Sequence, residues 1–332
     1  MSASWAALPA EFSAALAKCA EAAGGAELRA RAARLSQGFR DRRGTHETVR
    51  DGADALAYAL TRLPATYAAD MAVLRRLAEE IPGFAPQSVL DAGCGLGGAA
   101  VAALELWPEP AAVTLLDRNP PFLRLLRGLC AEGPLAGARL FDGDLTAPPE
   151  DLPAADLVLM SYALTEIPDG APFEATLAAL WRRTRGALVL VEPGTPRDYQ
   201  RLMRARASLI EAGAKIALPC PHAAPCPLSA GDWCHFVVRL PRSRDHKRLK
   251  GADAPFEDEK FAYLVATRDL SSSYAVRVIG PPEIFKWGVT LRLCATDGIK
   301  ETNIEKRDKA AYRLIRNKDW GDAVDPPQES PV

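Results

Sequence analysis

The stretch SVLDAGCGLGGAAVAALELW, residues 88–107, constrains the fold more than any other part of the chain. A short apolar run ends at Asp91, and Gly93, Gly95, Gly97 and Gly98 follow before an alanine-rich helical pattern begins. This is a strand turning sharply into a helix, with glycines where the backbone must adopt positive φ or approach something closely. The pattern recurs in AVTLLDRNPPFLRLLRGLC, ARLFDGDL, ADLVLMSYAL and GALVLVEPGTP, with the helical PFEATLAALWRRT between the last two. Alternation of this kind specifies an α/β fold, a parallel sheet with helices on both faces.

A helix that starts directly after glycines presents free amide donors to a ligand. A second strand ends in Asp117, about 20 residues beyond Gly97, where a carboxylate can accept both hydroxyls of a ribose. A third ends in DGDL, which sets Asp144, with Leu145 beside it, near an adenine amino group. Dinucleotide-dependent dehydrogenases share these features. The aspartate opening DAGCGLGG and the register of its glycines instead resemble the class I S-adenosylmethionine-dependent methyltransferases. That resemblance implies a Rossmann-like domain in which Asp91 helps to hold the methionine portion, Gly93, Gly95 and Gly97 line the cofactor, and Asp117 binds the ribose. Members that methylate exocyclic base nitrogens carry Asn or Asp, two prolines and an aromatic residue after the fourth strand. Here that place reads MSYALTEIP. Ser161 is assigned to the cofactor side, Tyr162 and Glu166 are candidates to line a pocket, and no catalytic residue is assigned.

Residues 1–84 are rich in Ala, Leu, Arg and Glu with apolar positions at helical spacing, and Pro64 is expected to interrupt them. The Rossmann-like unit is expected over residues 85–215 and a smaller cysteine-containing, β-rich extension over 216–320, with FAYLVATRD among its strands. Residues 321–332, polar and proline-rich, read as a disordered tail. No apolar run approaches the roughly 18 to 20 residues that cross a bilayer, so no membrane partner is expected. Glu11, Glu21 and Glu27 among the early arginines argue against a transit peptide, which points to a bacterial-type cytoplasmic protein with reduced cysteines.

Of the seven cysteines, Cys19 and Cys130 read as core residues on helical faces, and Cys94 as a small residue demanded by the glycine loop. PCPHAAPCPLSAGDWCHF, residues 219–236, holds Cys220, Cys226 and Cys234 with His222 and His235; Cys294 arrives about 60 residues later in VTLRLCATDG. The gaps are wider than the pairs typical of structural zinc, and neither a redox C-x-x-C nor a radical C-x3-C-x2-C motif is present. Three thiolates on a proline-bounded loop, with a fourth from the later strand, suit a 4Fe-4S cluster; zinc and no metal stay open on spacing alone. The histidines are substitute ligands for zinc and otherwise neighbours of the metal or contacts to RNA.

The formal net charge is -1, but residues 197–318 carry 23 basic and 14 acidic side chains, about +9, so the remainder is about -10. RLPRSRDHKRLK and KRDKAAYRLIRNK hold much of the excess, either as solvated faces or as a polyanion surface. VEPGTP, the cysteine block, FEDEKFAYLVATR, RVIGPP, LRLCATDG and KRDKAAYRLIRNKDWGD, in that order, closely resemble one family. It is the methyltransferase-like family of the small ribosomal subunit, comprising mitochondrial ribosome-assembly proteins and their bacterial relatives. The resemblance implies S-adenosylmethionine binding, a 4Fe-4S site on Cys220, Cys226, Cys234 and Cys294, and association with the small subunit during its assembly; the partners expected are that subunit and its rRNA, and the free chain is expected to be a monomer. The function expected is rRNA methylation during subunit assembly, with two alternatives: a non-catalytic assembly factor on a methyltransferase fold, or a small-molecule methyltransferase with a zinc-stapled lid.

Overall fold

A computed structural model of the chain describes residues 6–21, 25–131, 133–272 and 274–324. Among them, five helices precede the first strand: α1 (Ala10–Glu21), α2 (Gly25–Arg40), the single turn α3 (Thr45–Thr48), α4 (Gly52–Thr61) and α5 (Leu63–Glu80). The break between α4 and α5 falls at Pro64 as expected, because proline fits a helix's first turn, where its missing donor is not used.

The alternating section follows as β1 (Ser88–Ala92), α6 (Gly98–Leu106), β2 (Ala112–Asp117), α7 (Pro120–Leu129), β3 (Arg139–Asp142), β4 (Ala155–Ser161), α8 (Ala171–Arg183), β5 (Thr184–Pro193), α9 (Pro196–Glu211) and β6 (Lys215–Leu218). Next come β7 (Phe236–Pro241), α10 (Arg244–Lys250) and β8 (Phe256–Thr267). The main sheet runs β3-β2-β1-β4-β5-β8-β6, with β7 also on β8. Strands β3, β2, β1, β4 and β5 pair in parallel, whereas β8 is antiparallel to β5. This is the Rossmann-like order, and ligands of such sheets sit beyond the carboxyl ends of the strands.

Side chains alternate across the sheet. Val89, Leu115 and Val189 face one core with Leu56, Leu74 and the N-terminal helices; Leu90, Leu116 and Leu188 face a second with Phe173, Leu177 and Leu202 of α8 and α9. The N-terminal helices therefore cover one face of the sheet.

FAYLVATRD was expected in a small C-terminal sheet. It lies instead in β8, inside the main sheet, with β5 on one edge and both β6 and β7 on the other. A buried, nearly continuous apolar strand names no partner in its own sequence. The smaller sheet is built from β9 (Val276–Val278), β10 (Glu283–Ile284), β11 (Gly288–Ala295), β12 (Gly298–Glu305) and β13 (Ala323–Val324), with α11 (Lys309–Ile315) after β12. Its core is Val278, Val289, Leu291, Ile315 and Val324. The expected tail therefore starts too early: Ala323 and Val324 pair with Arg277 and Val276, and residues 325–332 lie outside the described residues. No helix among the described residues is long and apolar enough to cross a membrane.

Candidate functional site

The carboxyl ends of β1, β2, β3 and β4 open on one cleft with about 790 Å³ of empty space. Asp91, Gly93, Gly95, Asp117, Asp144, Leu145 and Ser161 all line it. Gly97, which precedes α6 and is not among the residues lining the cleft, has φ 78°, a left-handed conformation that favours glycine. Gly93 has φ 77°, and a Cβ would strike the Ala163 Cβ at 2.7 Å.

Asp91 accepts a hydrogen bond from the Ala100 N–H at 3.0 Å through Oδ2, while its buried Oδ1 has no partner among the described residues. Burial raises its pKa to about 7. Asp117 accepts from the Gly95 N–H at 2.7 Å and the Asn119 N–H at 2.8 Å, so the carboxylate also shapes the loop, and each oxygen retains acceptor capacity. Burial still pushes its pKa upward. Asp144 is tied to Arg118 at 2.6 Å and accepts from the Thr146 N–H and hydroxyl at 2.8 and 2.9 Å. The hydrogen bonds from Thr146 and Arg118 outweigh desolvation and hold it below the usual carboxylate range.

Three further features of the cleft escape sequence reasoning. Asp70 of α5 is buried in it, accepts the Ser161 hydroxyl at 2.5 Å, and is pushed well above the ordinary range by burial, with the nearby Asp91 charge acting in the same direction. Its signal was a lone carboxylate in the buried run ATYAADMAVL. Tyr58 and Phe122 form an aromatic wall with rings 4.9 Å apart. Thr45 donates through its N–H and hydroxyl to Glu166, at 3.0 Å each. On the acceptor side Tyr162 has φ 53°, unusual for a bulky residue, and its hydroxyl donates to Glu259 at 2.9 Å. Of the five carboxylates that line the cleft, Asp70, Asp91, Asp117 and Glu166 are all pushed above their usual range by burial, which favours a cationic ligand that would relieve that penalty.

A second cavity, about 500 Å³ of empty space, is lined by all four predicted thiols, Cys220, Cys226, Cys234 and Cys294. The loop 219–235 leaves the edge of β8 at β6 and returns to it at β7, which pins both ends. Arg206 donates to the His222 and Ala224 carbonyls at 2.6 and 2.9 Å, and Arg277 to the Pro219 carbonyl at 3.0 Å. Cys294 comes from β11, and an Arg292–Asp232 ion pair ties that strand to the loop. The Tyr199 hydroxyl donates to Cys226 Sγ at 3.1 Å.

Burial pushes the Cys234 thiol well above its usual value and Cys294 up to about 12, with the neighbouring thiols adding to both. Such thiols ionise only when a compensating positive charge, such as a metal, enters. Among the described residues no group of three or more His, Cys, Asp or Glu side chains converges closely enough to hold a single ion. The thiols ring a cavity instead. His222 Nε2 lies 3.9 Å from Cys294 Sγ, whereas His235 stacks on Trp233 with ring centres 5.2 Å apart. Cys94 is buried and Cys130 half-buried, but Cys19, expected in the core, is exposed.

The sequence matches the family described as "Mitochondrial small ribosomal subunit Rsm22" over residues 52–325. A relative named the mitochondrial ribosome assembly protein METTL17, from Homo sapiens, is 26% identical over 303 residues, covering 81% of this chain and 62% of that protein. The mitochondrial Rsm22-cox11 tandem protein 2 of Schizosaccharomyces pombe is 27% identical, covering 87% of this chain and 45% of that protein. The chain thus spans about half to two thirds of the length of these curated relatives. Among solved structures, the precorrin-6y C5,15-methyltransferase of Geobacter metallireducens overlaps 64% of this chain and 91% of its own at 19% identity and a TM-score of 0.41. At that score the likeness carries no argument, and the fold rests on the sheet order above. The expectation of a bacterial-type cytoplasmic protein is corrected: these relatives are mitochondrial by name, and acidic residues among early arginines are no evidence of an address. The family match spans well over half of the sequence, and the chain belongs to the Rsm22 family.

Proposed function

We propose that this chain binds S-adenosylmethionine in the glycine-loop cleft, holds a 4Fe-4S cluster on Cys220, Cys226, Cys234 and Cys294, and acts on the small ribosomal subunit and its rRNA during assembly. The family membership supports the subunit, and the two cavities support the two groups. The observation that carries the cofactor reading is Asp91, which lines the cleft and whose buried Oδ1 has no donor among the described residues. S-adenosylmethionine supplies a cationic methyl donor with an ammonium group that fits this carboxylate. Gly93 and Gly95 let the backbone approach the ligand, Asp117 faces the ribose hydroxyls, and Tyr58 and Phe122 exclude water from the cleft wall.

For the cysteine cavity, the thiols set around a space fit a polynuclear group better than a single zinc, whose tetrahedral ligands must converge at roughly 2.3 Å from one ion. Holding it would fix the loop 219–235 to β11, so binding free energy becomes folding free energy.

The geometry favours a non-catalytic assembly protein. The candidate acceptor-side groups are already engaged, Tyr162 with Glu259 and Glu166 with Thr45. Methyl transfer to rRNA is the second reading, favoured by Tyr162, since strained backbone clusters at active sites. The test is incubation with small subunits and labelled S-adenosylmethionine. Retained donor binding without label in the rRNA is expected; stoichiometric labelling would overturn the non-catalytic reading. The free chain is proposed to be a monomer.

A further inference from the structure

β10 and β11 form a hairpin closed by Phe285, whose N–H donates to the Gly288 carbonyl at 2.9 Å. In the turn the rings of Phe285 and Trp287 lie 5.2 Å apart and 7° from parallel. They are 41% and 45% exposed, and Ile284 beside them is 77% exposed. The platform is backed by β12: a Cβ on Gly288 would meet the Ile304 carbonyl oxygen at 2.1 Å, so β12 packs directly against the end of the turn. The Lys306 N–H donates to the Trp287 carbonyl at 2.8 Å, which fixes the end of β12 beside the aromatic pair.

The charges within the hairpin and in the segment that follows it indicate what would cover it. Lys286 sits between the two rings in sequence, Lys306 and Arg307 follow the bond to Trp287, and Lys309 and Arg313 lie on α11; all five are exposed. Among the described residues Lys286, Lys306, Lys309 and Arg313 make no ion pair or side-chain hydrogen bond. Glu305 is occupied by Arg307, and Asp308 caps α11 by accepting the Ala311 N–H at 3.0 Å. From residue 283 to 316 there are eight basic and five acidic residues, about +3. A flat apolar partner would leave these cations desolvated and unpaired, which is costly. An unpaired nucleotide strand satisfies both features, because bases stack on aromatic faces while phosphates meet free lysines and arginines.

The geometry points to this hairpin as a base-stacking contact for single-stranded RNA. The choice of RNA rests on the small-subunit reading above, which it deepens by naming the surface and the strandedness of its target. Duplex RNA offers stacked bases and no open faces, so the aromatic pair discriminates against it.

The test uses the full chain with a labelled short oligouridine and an RNA duplex of equal length, read by fluorescence anisotropy. The Phe285→Ala/Trp287→Ala variant is expected to lose on the order of tenfold in affinity for the oligouridine. It should keep its duplex affinity and most of its melting temperature, because neither ring belongs to the core of the small sheet. Trp287→Phe should keep most of the single-strand affinity. Lys306→Ala/Lys309→Ala should weaken both RNAs and flatten the salt dependence. Unchanged oligouridine binding by the double-alanine variant would overturn the proposal, as would equal loss for both RNAs. So would loss of contact with RNA-free ribosomal proteins alone. Co-sedimentation separates the two levels: if wild type still sediments with small subunits while the double-alanine variant binds oligouridine normally, only the hairpin assignment fails. If wild type does not sediment with small subunits, the parent reading fails.

Discussion

Replacing Asp91 with Asn should stabilise the protein while removing its ability to hold a cationic ligand. Asp91 is 1% exposed, and its carboxyl titrates at about 7. An unfolded aspartate titrates near 3.9, a gap of about three pH units at roughly 1.4 kcal/mol each, or about 4 kcal/mol of penalty for the charged form. The sign follows from proton binding. Because the folded carboxyl keeps its proton to higher pH, wild type loses this stability as pH rises from about 4 to 7 and loses no more above that. Asn keeps an oxygen for the Ala100 N–H and cannot ionise. The Asp91→Asn variant should therefore gain roughly 2–4 kcal/mol over wild type at pH 8 and little at pH 4, read by urea unfolding at both pH values. Calorimetric titration with S-adenosylmethionine should show on the order of tenfold to hundredfold weaker binding, the cost of losing a charged hydrogen bond. A variant less stable than wild type at pH 8, or a difference that does not depend on pH, would refute the reasoning.

Three other outcomes are expected. Wild-type protein purified without oxygen should be brown with about four irons per chain, and Cys226→Ser should lose both colour and stability where Cys130→Ser loses neither; a colourless preparation with one zinc per chain would contradict this. Glu80→Ala should cost about 3–5 kcal/mol, because it leaves Arg277, 3% exposed and paired with Glu80 at 2.8 Å, as an uncompensated buried cation. Since Arg277 also holds the Pro219 carbonyl, that variant's cavity thiols should react faster with a thiol reagent than those of wild type.

How much of this was legible in the sequence follows from how local each signal is. The glycine loop, the parallel strands and the break at Pro64 were readable because each depends on neighbouring residues and on backbone chemistry. The placement of β8 was not, because antiparallel insertion between β5 and β6 is decided by long-range pairing. The carboxylates Asp91, Asp117 and Asp144 were found through strand ends, whereas Asp70 arrives from a helix that packs over the sheet, and only its charge in a buried run marked it. Sequence also could not show that Asp117 and Asp144 are committed to Gly95, Asn119, Arg118 and Thr146. The four cysteines were named from order and resemblance; that they share one cavity depends on the loop between β6 and β7 meeting β11 of the second sheet, a long-range contact.

The most direct measurement is co-sedimentation of the anaerobically purified chain with immature small ribosomal subunits at moderate salt, with iron and bound S-adenosylmethionine assayed in the pellet. The account predicts that the chain sediments with the subunits carrying both groups. A chain that stays in the supernatant, or sediments with neither, would contradict it.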